Sequence, residues 1–332
     1  MTKDDGAQPA PLPRRKAWLY FRPDSPGIGD FLAGGARRKA FVKYWITDNG
    51  WNALHLAGHY SMKLLPMDAC SALGARLGLL VMPRFHKVAV ARARKTIETL
   101  RPDLSLAERE ALLRENMKSQ GRLMTEFSVV SRIARNRDRL QVEGLHFARQ
   151  ALSRGAVVVA GLHLGNWEIA GAVFRDLGVT PHVLYVPPAG RAQTWIAERV
   201  RTKGGINLLP PGFAGVGPAV QVLREGGVVI VFCDEGFGGV IRGPFFGRPP
   251  YPQGNLALAT RLARKTGATI CPAYNIRTEG FRFQAHVLPP ITLPPETVPR
   301  ERFVEDMLLL NGVIEPIVRA HLDQWYFLDS AL

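Results

Sequence analysis

After Gly155 the chain runs Ala156-Val157-Val158-Val159-Ala160, an uncharged and mostly β-branched stretch, and this constrains the fold more than any other segment. A run with no polar face reads as a strand covered on both sides. Similar apolar runs recur at 182–186, 206–209, 228–233 and 269–276, alternating with helical stretches, and 281–288 adds a hairpin partner. Alternation of this kind specifies an α/β fold, a mixed and mostly parallel sheet flanked by helices. A helix near 257–265 ends at Gly267, which suits a left-handed C-terminal residue, and 301–322 supplies a closing helix.

The first half reads differently. From Lys39 to Ser153 the pattern predicts helices only, with breaks at Pro66, Pro83-Arg84 and Pro102-Asp103 and a helix start over Asp103 to Glu108. This divides the chain into a flexible N-terminal extension over 1–38, a helical membrane-surface region over 39–153, and an α/β core over 154–332, with 39–332 forming one compact unit. At 332 residues and 46% apolar content the chain can bury a full core.

Where the first strand gives way to its helix stands His163-Leu164-Gly165-Asn166-Trp167-Glu168. Were all six helical, His163 and Glu168 would lie about 140° apart around the axis. The two can meet only if His163 precedes the helix and Glu168 sits in its first turn, with Asn166 as N-cap. The exposed amides of that turn favour a charged Glu168, which would hold one imidazole nitrogen protonated and leave the other free as a general base. Gly161 and Gly165 allow close approach, and Trp167 adds apolar surface beside the polar turn.

The order Val142-Glu143-Gly144, then Ala151 to Gly155, the valine strand, and His163 to Glu168 resembles the bacterial lipid A late acyltransferases, a branch of the lysophospholipid acyltransferase superfamily marked by His, four residues, then an acid. Gly226 to Glu235, Phe245-Phe246-Gly247, Leu258 to Gly267 and Pro272 to Arg277 continue the likeness in order, from about Trp51 to Trp325. The resemblance implies a membrane-associated O-acyltransferase on the cytoplasmic face of the inner membrane, peripheral or monotopic. It would move a fatty acyl group from acyl carrier protein or acyl-coenzyme A to a lipid A precursor, or to another glycolipid, a phosphatidylinositol mannoside or an aminolipid. It also implies basic residues on the helix near 193–203, so Arg199 and Arg201 become candidates for phosphate recognition.

Beyond His163 and Glu168, the candidate substrate-binding residues are Asn166, Trp167, Arg199, Arg201, Asp234, Phe245 and Phe246. Asp234 follows a buried strand at its carboxyl end, where α/β sheets present site residues. Phe245 and Phe246 could line an acyl channel, and backbone amides near Asn166 or an arginine would meet the oxyanion. No Gly-x-Ser-x-Gly elbow, Walker loop or metalloprotease helix is present. A thioester is already activated, so attack by a deprotonated hydroxyl needs a base more than a covalent intermediate.

Forty-three basic against twenty-eight acidic residues give a net charge of +15, which calls for an anionic partner and suits an acidic carrier protein. No RNA-binding signature or zinc-finger spacing accompanies the charge, so no nucleic acid is expected. Cys70, Cys233 and Cys271 are too scattered for a metal pair, and His55, His86, His182, His286 and His321 lack partners at ligand spacing; neither metal nor cofactor is expected. The stretch 1–30 lacks a secretory signal, and 64–82 is interrupted by Asp68 and Arg76, so it reads as interfacial rather than spanning. With Trp45, Trp51 and Tyr60 among lysines it fits helices lying at a bilayer surface. A rival of another class is a non-catalytic membrane or nucleic-acid binding protein; it leaves the placed His and Glu unexplained.

Overall fold

The computed structural model describes residues 25–237, 240–330 and 332; residues 1–24, most of the expected N-terminal extension, lie outside that description. Helix begins ahead of residue 39, with α1 (Ile28–Leu32) and α2 (Gly35–Val42). A π-helical turn over Lys43–Thr47 leads into α3 (Asp48–Met62). Then come α4 (Met67–Phe85), α5 (Lys87–Leu100) and α6 (Leu106–Glu126). Pro66 stands at the N-terminus of α4, but Pro83 does not break the helix as the sequence suggested. It lies in the last turn, where the missing N–H removes a single ladder bond and the helix ends anyway at His86. Ser105 caps α6 in a reciprocal box with Glu108, whose Oε2 accepts from the Ser105 amide at 2.7 Å.

The small residues of α4 face α6. A Cβ on Gly78 would lie 2.1 Å from the Met117 carbonyl oxygen, and one on Gly121 would lie 2.1 Å from that of Gly74. Only glycine lets these two backbones touch, so this face of 64–82 is spent on protein packing rather than on a bilayer. Among the described residues no helix is long and apolar enough to cross a membrane.

The remaining elements build the sheet: β1 (Leu140–Glu143), α7 (Leu145–Ser153), β2 (Val157–Gly161), α8 (Ala170–Asp176), β3 (His182–Leu184), α9 (Arg191–Lys203), β4 (Asn207–Leu209), α10 (Val216–Arg224) and β5 (Val228–Phe232). The short hairpin β6 (Gly236–Phe237) and β7 (Val240–Ile241) follows, then α11 (Asn255–Thr266), β8 (Thr269–Arg277), β9 (Phe283–Val287) and α12 (Phe303–Ala320). Strand β1 corrects the expectation of helix alone up to Ser153: Leu140 and Val142 alternate with polar residues and pair with β9 at the sheet edge.

The seven strands lie in the order β1-β9-β8-β2-β5-β3-β4. Contacts are parallel throughout except between β8 and β9, which is the mixed, mostly parallel sheet expected. Strand β2 shows why its sequence carries no polar residue. Val158 and Ala160 enter the core shared with α11 and α12, while Val157 and Val159 enter the core beneath α7. All three cysteines are free and buried, and burial pushes the Cys271 thiol up to about 12.

Candidate active site

The parallel order puts the carboxyl ends of β2 and β5 side by side, with Gly161 opposite Phe232. Beyond Gly161 the chain leaves the sheet, Leu164 bridges Trp325, and the amide of Tyr326 donates to the His163 carbonyl at 3.0 Å. Asn166 then caps a 3-10 turn over Trp167–Ile169 by accepting from the Glu168 amide at 3.3 Å, and α8 follows. His163 thus precedes the helical segment and Glu168 occupies its first turn, as the spacing required.

The imidazole is oriented from the neighbouring strand. His163 Nδ1 lies 2.9 Å from Asp234 Oδ1, and the His163 backbone N–H donates to Asp234 Oδ2 at 2.7 Å. The indole N–H of Trp325 donates to the same Oδ2 at 2.9 Å. Asp234 is fully buried and turns three donors into one rigid mount. A carboxylate accepts only, so Nδ1 carries the proton and Nε2 keeps its lone pair. Phe232 stacks on the ring at 4.1 Å between centroids, and Trp167 and Phe327 meet it edge-on at 4.7 and 5.1 Å.

Glu168 does not perform the orienting task assigned to it from sequence. Its carboxylate is held by Arg201, with Nη2 to Oε1 at 2.5 Å and Nε to Oε2 at 3.0 Å. The reason is local geometry: the 3-10 turn aims Glu168 toward α9, and Nδ1 is already taken by Asp234. Burial works against the Arg201 charge, but Glu168 more than offsets this and holds the guanidinium above its usual range. Arg201 also lies over the Tyr185 ring, 4.9 Å from its centroid.

His163, Trp167, Glu168, Arg201, Tyr326 and Phe327 line one open cleft of about 210 Å³, together with Glu235 and Asn255. Burial is the largest influence on the Glu235 carboxyl and pushes it up, although Asn255 donates to it. A second, narrower cavity of about 80 Å³ is lined almost wholly by apolar side chains, among them Val157, Val159, Val173, Phe174 and Val287. Trp167, Ala170, Ile230 and Phe232 border both spaces.

Three further expectations are corrected. Phe245 is buried in the core, with its amide on Asn311 Oδ1 at 2.8 Å, and Phe246 packs edge-on against Trp325; neither borders the cleft or the apolar cavity. The Phe245 and Phe246 amides, donating to Asn311 and Glu315, tie this segment to α12 instead. Arg199 is exposed and stacks over Trp195, since two residues along a helix from Arg201 is the opposite face. The Asn166 amide is unavailable to an oxyanion because it donates to Asn275 Oδ1 at 3.0 Å.

Asn166 belongs to a buried support that sequence reasoning missed. Its Nδ2 donates to Glu126 Oε2 at 3.0 Å, and the same oxygen accepts from Arg277 Nη2 at 2.7 Å. Gln324 bonds the Arg277 backbone twice, donating to its carbonyl and accepting from its amide. These partners come from α6, β8 and the segment after α12, and no local spacing links them. The position of Asp234 after an apolar strand was the one available signal.

The family model described as "Bacterial lipid A biosynthesis acyltransferase" matches residues 35–332. Over 214 residues the chain is 28% identical to "Lipid A biosynthesis palmitoleoyltransferase" of Escherichia coli (strain K12) and, equally, to "Lipid A biosynthesis acyltransferase" of Shigella flexneri. The matched stretch is 61% of this chain and spans 65% of the length of each relative. A crystal structure of the 1-acyl-sn-glycerophosphate acyltransferase PlsC from Thermotoga maritima aligns with a TM-score of 0.34 at 12% identity, covering 71% of this chain and 99% of that one.

Proposed function

This chain belongs to the bacterial lipid A biosynthesis acyltransferase family, and from that premise we propose that it transfers a fatty acyl group from acyl carrier protein or coenzyme A to a hydroxyl of a lipid A precursor. The observation that carries the reading is the 2.9 Å contact between His163 Nδ1 and Asp234 Oδ1 at the wall of an open cleft, because it fixes the tautomer a general base needs. Nε2 takes the proton of the acceptor hydroxyl, and the oxygen attacks the thioester carbonyl. The tetrahedral intermediate then collapses, the C–S bond breaks, and the departing thiolate takes the proton back from the imidazolium. Asp234 stabilises that imidazolium. Arg201, set by Glu168, brings positive charge to the cleft to meet the oxyanion.

The apolar cavity behind Trp167 and Phe232 receives the acyl chain, where each buried methylene contributes about 0.8 kcal/mol. The chain works at a membrane surface, on the cytoplasmic face of the inner membrane. Ile28, Leu32, Ile46, Trp51 and Leu54 support this, since they are exposed on the N-terminal helices near Lys39 and Lys43.

The test is acyl transfer from an acyl thioester to a lipid A precursor, read by mass spectrometry of the product. His163→Ala should lower kcat by about 10²–10⁴ while circular dichroism stays unchanged. Near-normal transfer by the folded variant would end the reading.

A further inference from the structure

Helices α3 and α9 run side by side in the same direction. At their starts the Ala192 amide donates to Asn52 Oδ1 at 3.1 Å, and Arg191 donates to the Tyr44 carbonyl and to Asn49 Oδ1 at 2.6 and 2.7 Å. Lys63 follows Asn52 by eleven residues and Lys203 follows Ala192 by the same number. At 1.5 Å per residue both lysines end about 16 Å along, beside each other. Arg199, one turn before Lys203, shares its face.

A fourth cation joins them: Arg132 donates to the carbonyls of Leu65, at 2.8 Å, and Lys63. Burial, and then the charges of Lys203, Arg199 and Arg132, hold the Lys63 ammonium below its usual range. Elsewhere on the described surface Arg94, Arg137 and Arg139 each face a carboxylate. Among the described residues none of these four pairs with one, and Glu198, the one carboxylate of α9, makes no ion pair with them. The negative C-terminal ends of α3 and α9 offset part of the mutual repulsion and let the cations gather. An anion from outside would remove the rest.

The surroundings indicate what kind of anion. Lys63 Nζ lies 4.9 Å from the Tyr60 ring centroid, and the Arg199 guanidinium lies 5.2 Å from that of Trp195. Tyr60, Leu64 and Trp195 are exposed at the rim. Aromatic and leucine side chains around unpaired cations match the boundary between headgroups and acyl chains. We propose that Lys63, Arg199 and Lys203 bind the phosphate of an anionic membrane lipid, with Tyr60, Leu64 and Trp195 dipping into the boundary. The inference rests on the membrane-surface reading above and adds an orientation to it. Arg201 faces the cleft from the opposite side of α9, so a lipid phosphate held by Lys203 anchors the bilayer about one helix diameter, roughly 10 Å, from the site.

The experiment compares the full chain with Lys63→Ala/Arg199→Ala/Lys203→Ala. Arg84→Ala/Lys87→Ala/Arg92→Ala, at the exposed basic corner between α4 and α5, removes the same charge elsewhere. One arm measures binding to phosphatidylcholine vesicles with and without phosphatidic acid. The other titrates monomeric dihexanoyl phosphatidic acid calorimetrically. The first triple variant should lose binding to phosphatidic acid vesicles on the order of a hundredfold and lose the soluble ligand, with the second affected several-fold or less. Equal weakening in both triple variants, or soluble-ligand binding that survives the first, overturns the proposal. Vesicle binding indifferent to phosphatidic acid and to the first triple variant overturns the phosphate site while leaving the membrane reading intact. Soluble-ligand binding that needs the three cations, with no vesicle binding at all, removes the membrane reading and overturns the proposal with it, leaving a site for a soluble phosphate.

Discussion

The turns after β2 and after β5 lie side by side at the cleft, and they use their carboxylates in different ways. Asp234, after β5, has no exposed surface and receives three donors from the protein itself. Glu168, after β2, lies on the cleft wall and is tied to one guanidinium that also borders the open space. A carboxylate saturated from within can orient and stabilise but cannot be recruited by a substrate. One that shares its partner with a cleft sets where that positive charge stands. On this reading the acid inside the short His-to-Glu motif is the partner of an arginine, and the acid that serves the histidine comes from another strand.

The difference can be broken by substitution. Asp234→Asn should be the most damaging of the three changes that follow, lowering kcat by about 10³–10⁴ with little change in melting temperature, because an amide cannot hold the imidazolium but its oxygen can still accept from Trp325. Glu168→Gln should cost less, about 10² in kcat, and Arg201→Lys should act similarly because a point charge cannot replace the paired fork. If Glu168→Gln cost more than Asp234→Asn, the assignment of roles would be reversed. A double-variant cycle sharpens this: the Asp234 and Glu168 effects should add to within about 0.5 kcal/mol, since the two carboxylates share no hydrogen-bond partner.

The smallest effect belongs to Glu235, which shares the turn with Asp234 but is pushed up by burial. A carboxyl raised in the folded state adds stability below its unfolded value and loses it as pH rises through the folded one. Glu235→Gln should therefore raise the melting temperature at neutral pH and leave it unchanged near pH 4, a contrast that thermal scans at the two pH values would reveal.

The sheet was legible because its central strands are buried on both faces and so are mostly apolar; the runs at 156–162, 228–233 and 269–276 fall on β2, β5 and β8. Strand β1 escaped because an edge strand of four residues carries too little alternation to stand out. At the site, the apolar strand before it and the helix start after it placed His163 ahead of the helix and Glu168 within it, because that is local backbone geometry, although the two side chains do not meet as the spacing argument assumed. Spacing could not identify the histidine's partner, since Asp234 lies 71 residues away and arrives only through the parallel pairing of β2 with β5. Phe245 and Phe246 misled because an aromatic pair suits a channel wall and a packed core equally, and only the contacts with α12 and Trp325 decide between them.

Strand β8 is nine residues long and β2 five, and their register leaves Tyr274 to Arg277 running on past Gly161, paired on the β9 side but no longer with β2. That overhang, about 13 Å at 3.3 Å per residue, is the ledge on which Gly165 and Asn166 rest, through the carbonyl and side chain of Asn275. Side chains alternate across a pleat, so the ledge has a parity. Removing one residue from β8 would turn Asn275 away to the side where Tyr274 stacks on His286, whereas removing two would keep the correct side and withdraw the shelf by about 7 Å. The base is thus held at its height by the count of residues in a strand that never touches the imidazole.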